Sequence, residues 1–122
     1  MKIDVLTNDN KCALYAEATV KAILYTAGRK DFNTFKGNTT ITFSTQSDQK
    51  GFALFDYEKF KCGDVGRRNV VKDISIALLG YKVNVMEAVK YIEEIYNDLS
   101  QERKELNNST PKNSNANIKN FK

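Results

Sequence analysis

The C-terminal third of the chain alternates apolar and polar residues with the period of an α-helix. Asn69 is placed to cap a first helix over residues 69–79, because Val70, Ile74 and Leu78 follow it at helical spacing. Gly80 suits the left-handed residue that ends such a helix.

A second, longer helix fits residues 84 to about 106. Asn84 and Glu87 form a capping-box pattern ahead of an apolar stripe. A helix of this length measures roughly 35 Å, which is long for so small a domain. We therefore expect its distal end to pack on a second subunit. The stripe comprises Val85, Ala88, Val89, Ile92, Ile95, Tyr96 and Leu99.

The N-terminal half has the pattern of strands. Residues 39–45 alternate and are rich in β-branched side chains, and residues 51–57 follow after a polar loop, so the two segments are expected to pair as an antiparallel hairpin. Phe43, Phe52 and Leu54 are expected in the core, while Phe55 and Tyr57 share the other face.

Residues 12–25 satisfy two patterns at once. Every even position from 12 to 24 is apolar, as in a strand, yet Ala13, Ala16, Val20 and Ile23 also fit a helix that ends at Gly28. The β-branched and aromatic residues favour the strand, which makes residues 3–6 the first half of another hairpin. The expected fold is α+β, with an N-terminal antiparallel β-sheet followed by two C-terminal helices, the last one long.

The final residues differ in composition. Residues 107–122 contain six Asn and the only Pro, and too few apolar side chains to offset the entropy of ordering. We expect a single folded domain over residues 1–106 and a disordered tail over 107–122.

The charge supports the same division. The whole chain carries +4, but the tail holds three lysines and no acid, so residues 1–106 carry only +1. A nearly neutral domain favours a small anionic ligand in a local basic pocket over a long nucleic acid on a basic face.

Composition excludes several functions. The chain has no histidine, so catalytic triads and His-ligated zinc cannot form within it. Cys12 and Cys62 form no CxxC motif and are expected to be buried free thiols. No apolar run reaches the length of a membrane span and the N-terminus lacks a signal-peptide pattern, which predicts a cytoplasmic protein.

Arginine is rare, and three of its four positions lie in two short segments that begin with glycine: Gly28-Arg29 and Gly66-Arg67-Arg68. The guanidinium group binds phosphate in a bidentate manner, and glycine lets the backbone approach an anion. The second cluster lies in a glycine-containing loop that opens onto the predicted helix at Asn69, where backbone N–H groups favour an anion. A plain turn with solvated arginines is the alternative interpretation.

Aromatic and acidic side chains add candidate contacts. Phe55 or Tyr57 could stack on a nucleobase, although core packing is the better interpretation for each ring taken singly. Asp64 could orient an arginine, ligate a metal or bond a ribose hydroxyl. The sequence contains no convincing set of nucleophile, base and oxyanion donors.

These features together resemble the first Thoeris anti-defence family, which consists of phage proteins that sequester nucleotide immune signals. The likeness spans most of residues 1–106 and rests on chain length, on Gly51-Phe52-Ala53-Leu54-Phe55-Asp56-Tyr57, on Gly66-Arg67-Arg68-Asn69 and on the long C-terminal helix.

The resemblance implies a non-catalytic sponge without a cofactor, in the cytoplasm of a bacterial host. It would bind cyclic ADP-ribose-type signals made by TIR-domain enzymes, and cyclic oligonucleotides in some members. It would assemble as a homohexamer with pockets at subunit interfaces and release its ligand intact on denaturation. The candidate contacts are Arg29, Arg67 and Arg68 for phosphate, Phe55, Tyr57 and Tyr96 for stacking, and Asp64, Asn69 and Asn97 for ribose.

Two other classes stay open. A small phage protein that binds nucleic acid or inhibits CRISPR would place Arg29, Lys30 and the tail on phosphates, and its binding would collapse as salt rises. A structural protein would use the long helix for oligomerisation only and would bind no ligand.

Overall fold

The computed structural model describes residues 1–7, 9–30, 32–37, 39–45 and 49–109, with side chains described for all of these except 35–37 and 104–109. It confirms the α+β class, with four strands in one sheet and a long last helix. The elements are β1 (Lys2–Leu6), α1 (Asn10–Thr26), β2 (Asn33–Gly37), β3 (Thr40–Ser44), β4 (Lys50–Leu54), α2 (Tyr57–Phe60), α3 (Asp64–Leu79) and α4 (Val85–Ser109).

The strand predicted at residues 12–25 is wrong, since this segment forms α1 and the alternative helical interpretation is correct. Asp9 caps the helix: its side chain accepts hydrogen bonds from the backbone N–H groups of Lys11 (2.8 Å) and Cys12 (3.2 Å). Most side chains from Cys12 to Leu24 are buried on several sides of the helix. A helix surrounded by protein needs no polar face, so its sequence also satisfies the alternation of a strand.

The sheet has strand order β2-β1-β3-β4 and is mixed, not antiparallel as expected. β1 pairs in parallel with β2, because α1 connects them as a crossover, whereas β1–β3 and β3–β4 are antiparallel. The hairpin predicted within residues 39–57 is confirmed as β3–β4. It ends at Leu54, and Tyr57 begins α2, capped by Asp56.

Among the described side chains of the sheet, those on one face form part of the core. Ile3, Val5, Ile41 and Ala53 are buried on that face, and the half-buried Phe43 packs against the same core. The expected burial of Phe52 and Leu54 is wrong: their side chains lie on the other face with 73% and 64% of their surface exposed.

α3 ends and α4 begins at the positions that the sequence predicts. Gly80 adopts a left-handed φ of 83°, and the Asn84 side chain accepts a hydrogen bond from the Glu87 N–H at 3.2 Å. α4 continues to Ser109, so residues 107–109 belong to the helix and not to the predicted tail. Residues 110–122 of that tail lie outside the described residues.

Other expectations have mixed outcomes. Cys12 and Cys62 are both free thiols, but only Cys12 is buried, since Cys62 lies exposed between α2 and α3. Within the described segments, no helix combines the length and the apolar character needed to cross a membrane.

Candidate ligand-binding site

The C-terminus of α1 fixes the position of Arg29. Gly28 has a φ of 77° and its N–H donates to the Tyr25 carbonyl at 3.0 Å, while the Arg29 N–H donates to the Leu24 carbonyl at 2.8 Å. These two bonds form a Schellman motif, in which the residue after the glycine is tied back to the last helical turn. Gly28 therefore terminates a helix and holds the backbone of Arg29 in place.

A cavity of about 310 Å³ opens beside this turn, between α1, the segment that leads to β2, and α4. Among the lining residues that the structure describes, three are basic and none is acidic. Its volume is at the lower end of the usual range for small-molecule sites, about 300–1,000 Å³. We name it the basic pocket. Its lining residues are Lys21, Tyr25, Arg29, Lys30, Phe32 and Ile95.

Lys21 is held by a nearly buried carboxylate. Its Nζ lies 3.4 Å from Glu17 Oε2, and that oxygen also accepts a hydrogen bond from Thr34 Oγ1 at 3.2 Å. Arg103 Nη2 lies 3.8 Å from the other carboxylate oxygen. Glu17 therefore pairs with both Lys21 on its own helix and Arg103 on α4, and it fixes Lys21 on the wall of the pocket.

The pocket also offers an aromatic surface. Tyr25 is 54% exposed and its ring stands edge-on to Tyr91, with centroids 4.9 Å apart and planes at 85°. Phe32 and Ile95 are half-buried against the core. Tyr25 is thus half-exposed, contacts Tyr91 and lies in the same pocket as the apolar side chains of Phe32 and Ile95. Such a surface suits a ligand that has a planar ring and a negatively charged group.

We expect Gly28→Ala to weaken binding in the basic pocket. A Cβ at Gly28 or at Gly80 meets no atom within 4 Å, so each alanine variant should lose only about 1 kcal/mol of stability from its left-handed backbone. Only Gly28 positions Arg29, so Gly80→Ala is the matched control. Thermal melts should show similar losses for both, and ligand titrations should weaken for Gly28→Ala alone. An equal loss of affinity in both variants would show that the Schellman turn does not contribute to ligand binding.

Arg67 lies in a different cluster, where its charge is already partnered. Its Nη1 is 2.9 Å from Glu93 Oε1, and its guanidinium carbon lies 4.6 Å from the Phe60 ring centroid and 5.5 Å from that of Tyr15. The Tyr15 hydroxyl donates to the same Glu93 oxygen at 3.2 Å, and its ring stacks on Tyr96 at 3.9 Å. We name these residues, with Tyr57, the aromatic cluster.

The aromatic cluster stabilises the packing of helices against one another. Burial raises the pKa of Tyr15, and the adjacent Glu93 raises it further, so the phenol stays protonated and keeps its hydrogen bond. Tyr15 belongs to α1, Arg67 to α3, and Glu93 and Tyr96 to α4. Tyr57 and Phe60 belong to α2. The cluster therefore joins four helices through ring contacts and one ion pair.

The glycine–arginine loop expected before Asn69 is part of α3, which begins at Asp64. The expectation that Asn69 caps this helix is therefore wrong, and Asn69 lies exposed in its second turn. Arg68 Nη2 lies 3.5 Å from Asp64 Oδ2, one turn away, while the buried Arg68 Nε has no hydrogen-bond partner among the described residues. A Cβ at Gly66 would overlap the Lys59 carbonyl oxygen, so Gly66 lets α3 approach α2.

The remaining candidates are distributed over the core and the surface. Phe55 is 1% exposed, so its ring packs in the core, as the alternative interpretation had it. Tyr57 is half-buried beneath Lys61, whose Nζ lies 5.0 Å from the ring centroid. Asn97 is exposed on α4. The structure thus brings Phe55, Tyr57, Tyr96 and Arg67 together, pairs Asp64 with Arg68, and leaves Arg29 in the basic pocket.

Sequence reasoning missed Lys21, Tyr25 and Ile95 as members of a site. Lys21, Tyr25 and Arg29 recur at four-residue spacing, which places them along one side of a helix and its C-terminal turn. This signal required α1 to be assigned as a helix. Ile95 comes from α4, and no local pattern joins it to α1.

The residues described by the structure contain no group of three or more Cys, Asp or Glu placed to hold a metal ion. The chain matches no family model, no curated protein and no solved structure.

Proposed function

We propose that this protein binds a small nucleotide signal of the cyclic ADP-ribose type and sequesters it without converting it, with the basic pocket as the binding site. The observation that carries the proposal is the convergence of three basic side chains and an exposed tyrosine on one cavity of about 310 Å³. The family resemblance supplies the ligand class, and the pocket supplies its complementary chemistry.

Each part of such a ligand has a counterpart in the pocket. A pyrophosphate carries two negative charges, which suit the planar donor fork of Arg29 together with the point charges of Lys21 and Lys30. The adenine ring suits the exposed Tyr25 ring, and Ile95 adds apolar surface to the same pocket.

Sequestration requires affinity for the ground state of the ligand. Fixed cations and an aromatic surface that contact the bound nucleotide lower its dissociation constant without lowering a reaction barrier. The Schellman turn helps, because a pre-positioned Arg29 loses less entropy when the ligand binds. A protein of this kind would act against Thoeris-type immunity in the cytoplasm of a bacterial host, as a phage anti-defence protein assembled as a homohexamer.

Uptake and release of the ligand test the proposal. The full chain, in molar excess, is incubated with isomers of cyclic ADP-ribose, separated from free nucleotide by filtration and heated, and the released material is analysed by mass spectrometry. We expect depletion of at least one isomer from the filtrate and its recovery with unchanged mass and retention time. Recovery of a hydrolysed nucleotide would identify an enzyme, and no depletion of any isomer would refute sequestration.

A further inference from the structure

β4 stands at one edge of the sheet that the described strands form, with β3 on one side of it and no described strand on the other. Just beyond the end of β4, the Phe55 N–H donates to the Thr39 carbonyl at 3.0 Å, which continues the register of the β3–β4 ladder. Hydrogen-bonded and non-hydrogen-bonded pairs alternate along an antiparallel ladder, so the odd-numbered residues of β4 bond to β3. The even-numbered residues turn their backbone N–H and C=O groups away from β3. These residues are Lys50, Phe52 and Leu54.

The outer side of β4 is accessible. The side chains of Phe52 and Leu54 are 73% and 64% exposed, and Lys50 is exposed as well. Among the described residues, no hydrogen bond uses the outward backbone groups of these three residues. We name Lys50, Phe52 and Leu54 the open edge. An edge strand that carries large exposed apolar side chains is a template for pairing with another strand.

A second copy of the chain matches the open edge in one register. When two β4 strands run antiparallel about a two-fold axis at Phe52, Phe52 faces Phe52 of the second copy and Lys50 faces Leu54. All the outward N–H and C=O groups of both strands then have partners. If the axis lies one residue earlier or later, Leu54 or Lys50 loses its partner on β4. The register centred on Phe52 is therefore the one that pairs the whole open edge.

The side chains are compatible with this register. The two Phe52 rings become cross-strand neighbours, and each Leu54 lies diagonal to Phe52 of the second copy, so both copies cover exposed apolar surface. The two Lys50 residues stand about 13 Å apart along the strands, so their charges do not meet. On the core face, Gly51 lies opposite Ala53 of the second copy, and no bulky side chain is added there.

The contact leaves the other three strands in place. β3 and β1 lie behind β4, and β2 stands at the opposite edge of the sheet, so none of them meets the second copy. The two sheets become one continuous sheet with the strand order β2-β1-β3-β4-β4-β3-β1-β2.

We infer that the protein forms a two-fold symmetric dimer by antiparallel pairing of its β4 strands, centred on Phe52. The two-fold axis closes the assembly, because each copy contributes the same surface. Each strand has five residues, so the contact is smaller than a standard interface of about 1,600 Å² and should dissociate on dilution. The inference stands apart from the proposed function, since β4 lines no part of the basic pocket. In a hexamer, three such contacts would join pairs of subunits.

Analytical ultracentrifugation of the full chain without ligand, over a series of concentrations, tests the inference. Phe52→Lys and Phe52→Glu each place like charges opposite one another at the two-fold axis. Each should raise the dimer dissociation constant at least about tenfold. An equimolar mixture of the two variants should restore association, because opposite charges then meet. Tyr81→Lys is the matched control, since Tyr81 is 53% exposed and lies in the α3–α4 turn. If the wild-type chain is a hexamer, the same variants should lower its mass and the mixture should restore it.

A second pair of variants tests the backbone pairing itself. Leu54→Pro and Leu54→Ala both remove the leucine side chain, but only proline also removes the outward N–H. That N–H makes no bond to β3, and proline is tolerated on an edge strand when its nitrogen faces away from the sheet. We expect Leu54→Pro to weaken the dimer more than Leu54→Ala does, and circular dichroism should show both variants folded.

Four outcomes would overturn the inference. The first is a wild-type chain that stays monomeric at every concentration. The second is association that the two Phe52 variants leave unchanged. The third is a loss of association that mixing these variants does not reverse. The fourth is an equal effect of Leu54→Pro and Leu54→Ala, which would show that the strands do not pair through their backbones. Uptake of cyclic ADP-ribose isomers is measured separately, so the dimer and the proposed function can fail independently.

Discussion

The double substitution Arg29→Glu with Lys30→Glu is expected to weaken uptake of the cyclic nucleotide at least about a hundredfold. Each change removes a charge-assisted hydrogen bond to phosphate, which contributes about 1.5–3 kcal/mol, and adds a repulsive carboxylate. Arg29 and Lys30 stand in the turn after α1, where their side chains line the basic pocket without forming part of the core. Isothermal titration calorimetry of the variant against the wild-type chain measures the effect.

The matched control is Lys11→Glu with Lys72→Glu, which changes the net charge equally. Lys11 lies at the opposite end of α1 and Lys72 lies on α3, and both are exposed. We expect affinity close to that of the wild-type chain for this control, and circular dichroism should show both double variants folded. Equal losses in the two variants would mean that long-range charge, not the basic pocket, attracts the ligand.

Gly66→Ala is expected to cause the largest loss of stability. Alanine normally stabilises a helix relative to glycine by about 1 kcal/mol, but the added Cβ at this position would overlap the Lys59 carbonyl oxygen of α2. A backbone atom cannot move aside without separating α3 from α2, so we expect a destabilisation of about 3 kcal/mol. Urea unfolding should show the lower midpoint.

Gly63→Ala serves as the control for this loss. Gly63 precedes α3 with a φ of 88°, and a Cβ there meets no atom within 4 Å, so only the backbone strain of about 1 kcal/mol applies. The order of stability should be wild type, then Gly63→Ala, then Gly66→Ala. A Gly66→Ala chain as stable as the wild type would contradict the close contact of α2 and α3.

The sequence predicts the local features of this fold better than its topology. The hairpin β3–β4, the left-handed Gly80 and the Asn84 cap all depend on neighbouring residues, and all three are confirmed. α1 was misassigned because burial around the helix erased its amphipathic period. This error also concealed the parallel pairing of β1 and β2, which needs a crossover helix between them.

Exposure was misjudged where a surface carries large apolar side chains. Phe52 and Leu54 read as core residues because an apolar side chain in a strand is usually buried. The start of α3 was placed too late because Gly63 and Gly66 supply no side-chain cap and no helical preference. Both errors occur at residues whose structural environment differs from the one that is usual for their residue type.

The candidate site shows the same limit. Arg29 was identified from its rarity and from the preceding glycine, but its neighbours in the basic pocket are Lys21 and Tyr25 on α1 and Ile95 on α4. Conversely, the sequence could not show that Glu93 pairs with Arg67, because 26 residues and a helix–helix contact separate them. Tertiary packing decides which side chains from distant segments lie together.

The most direct test of the binding site is an NMR titration of the isotope-labelled chain with a cyclic ADP-ribose isomer that the chain takes up. We expect the largest amide shift changes at Tyr25, Arg29, Lys30 and Ile95, saturating at one ligand per pocket. Changes centred on Arg67 and Tyr96, or on Phe52, with none around Arg29, would contradict the assignment of the nucleotide to the basic pocket.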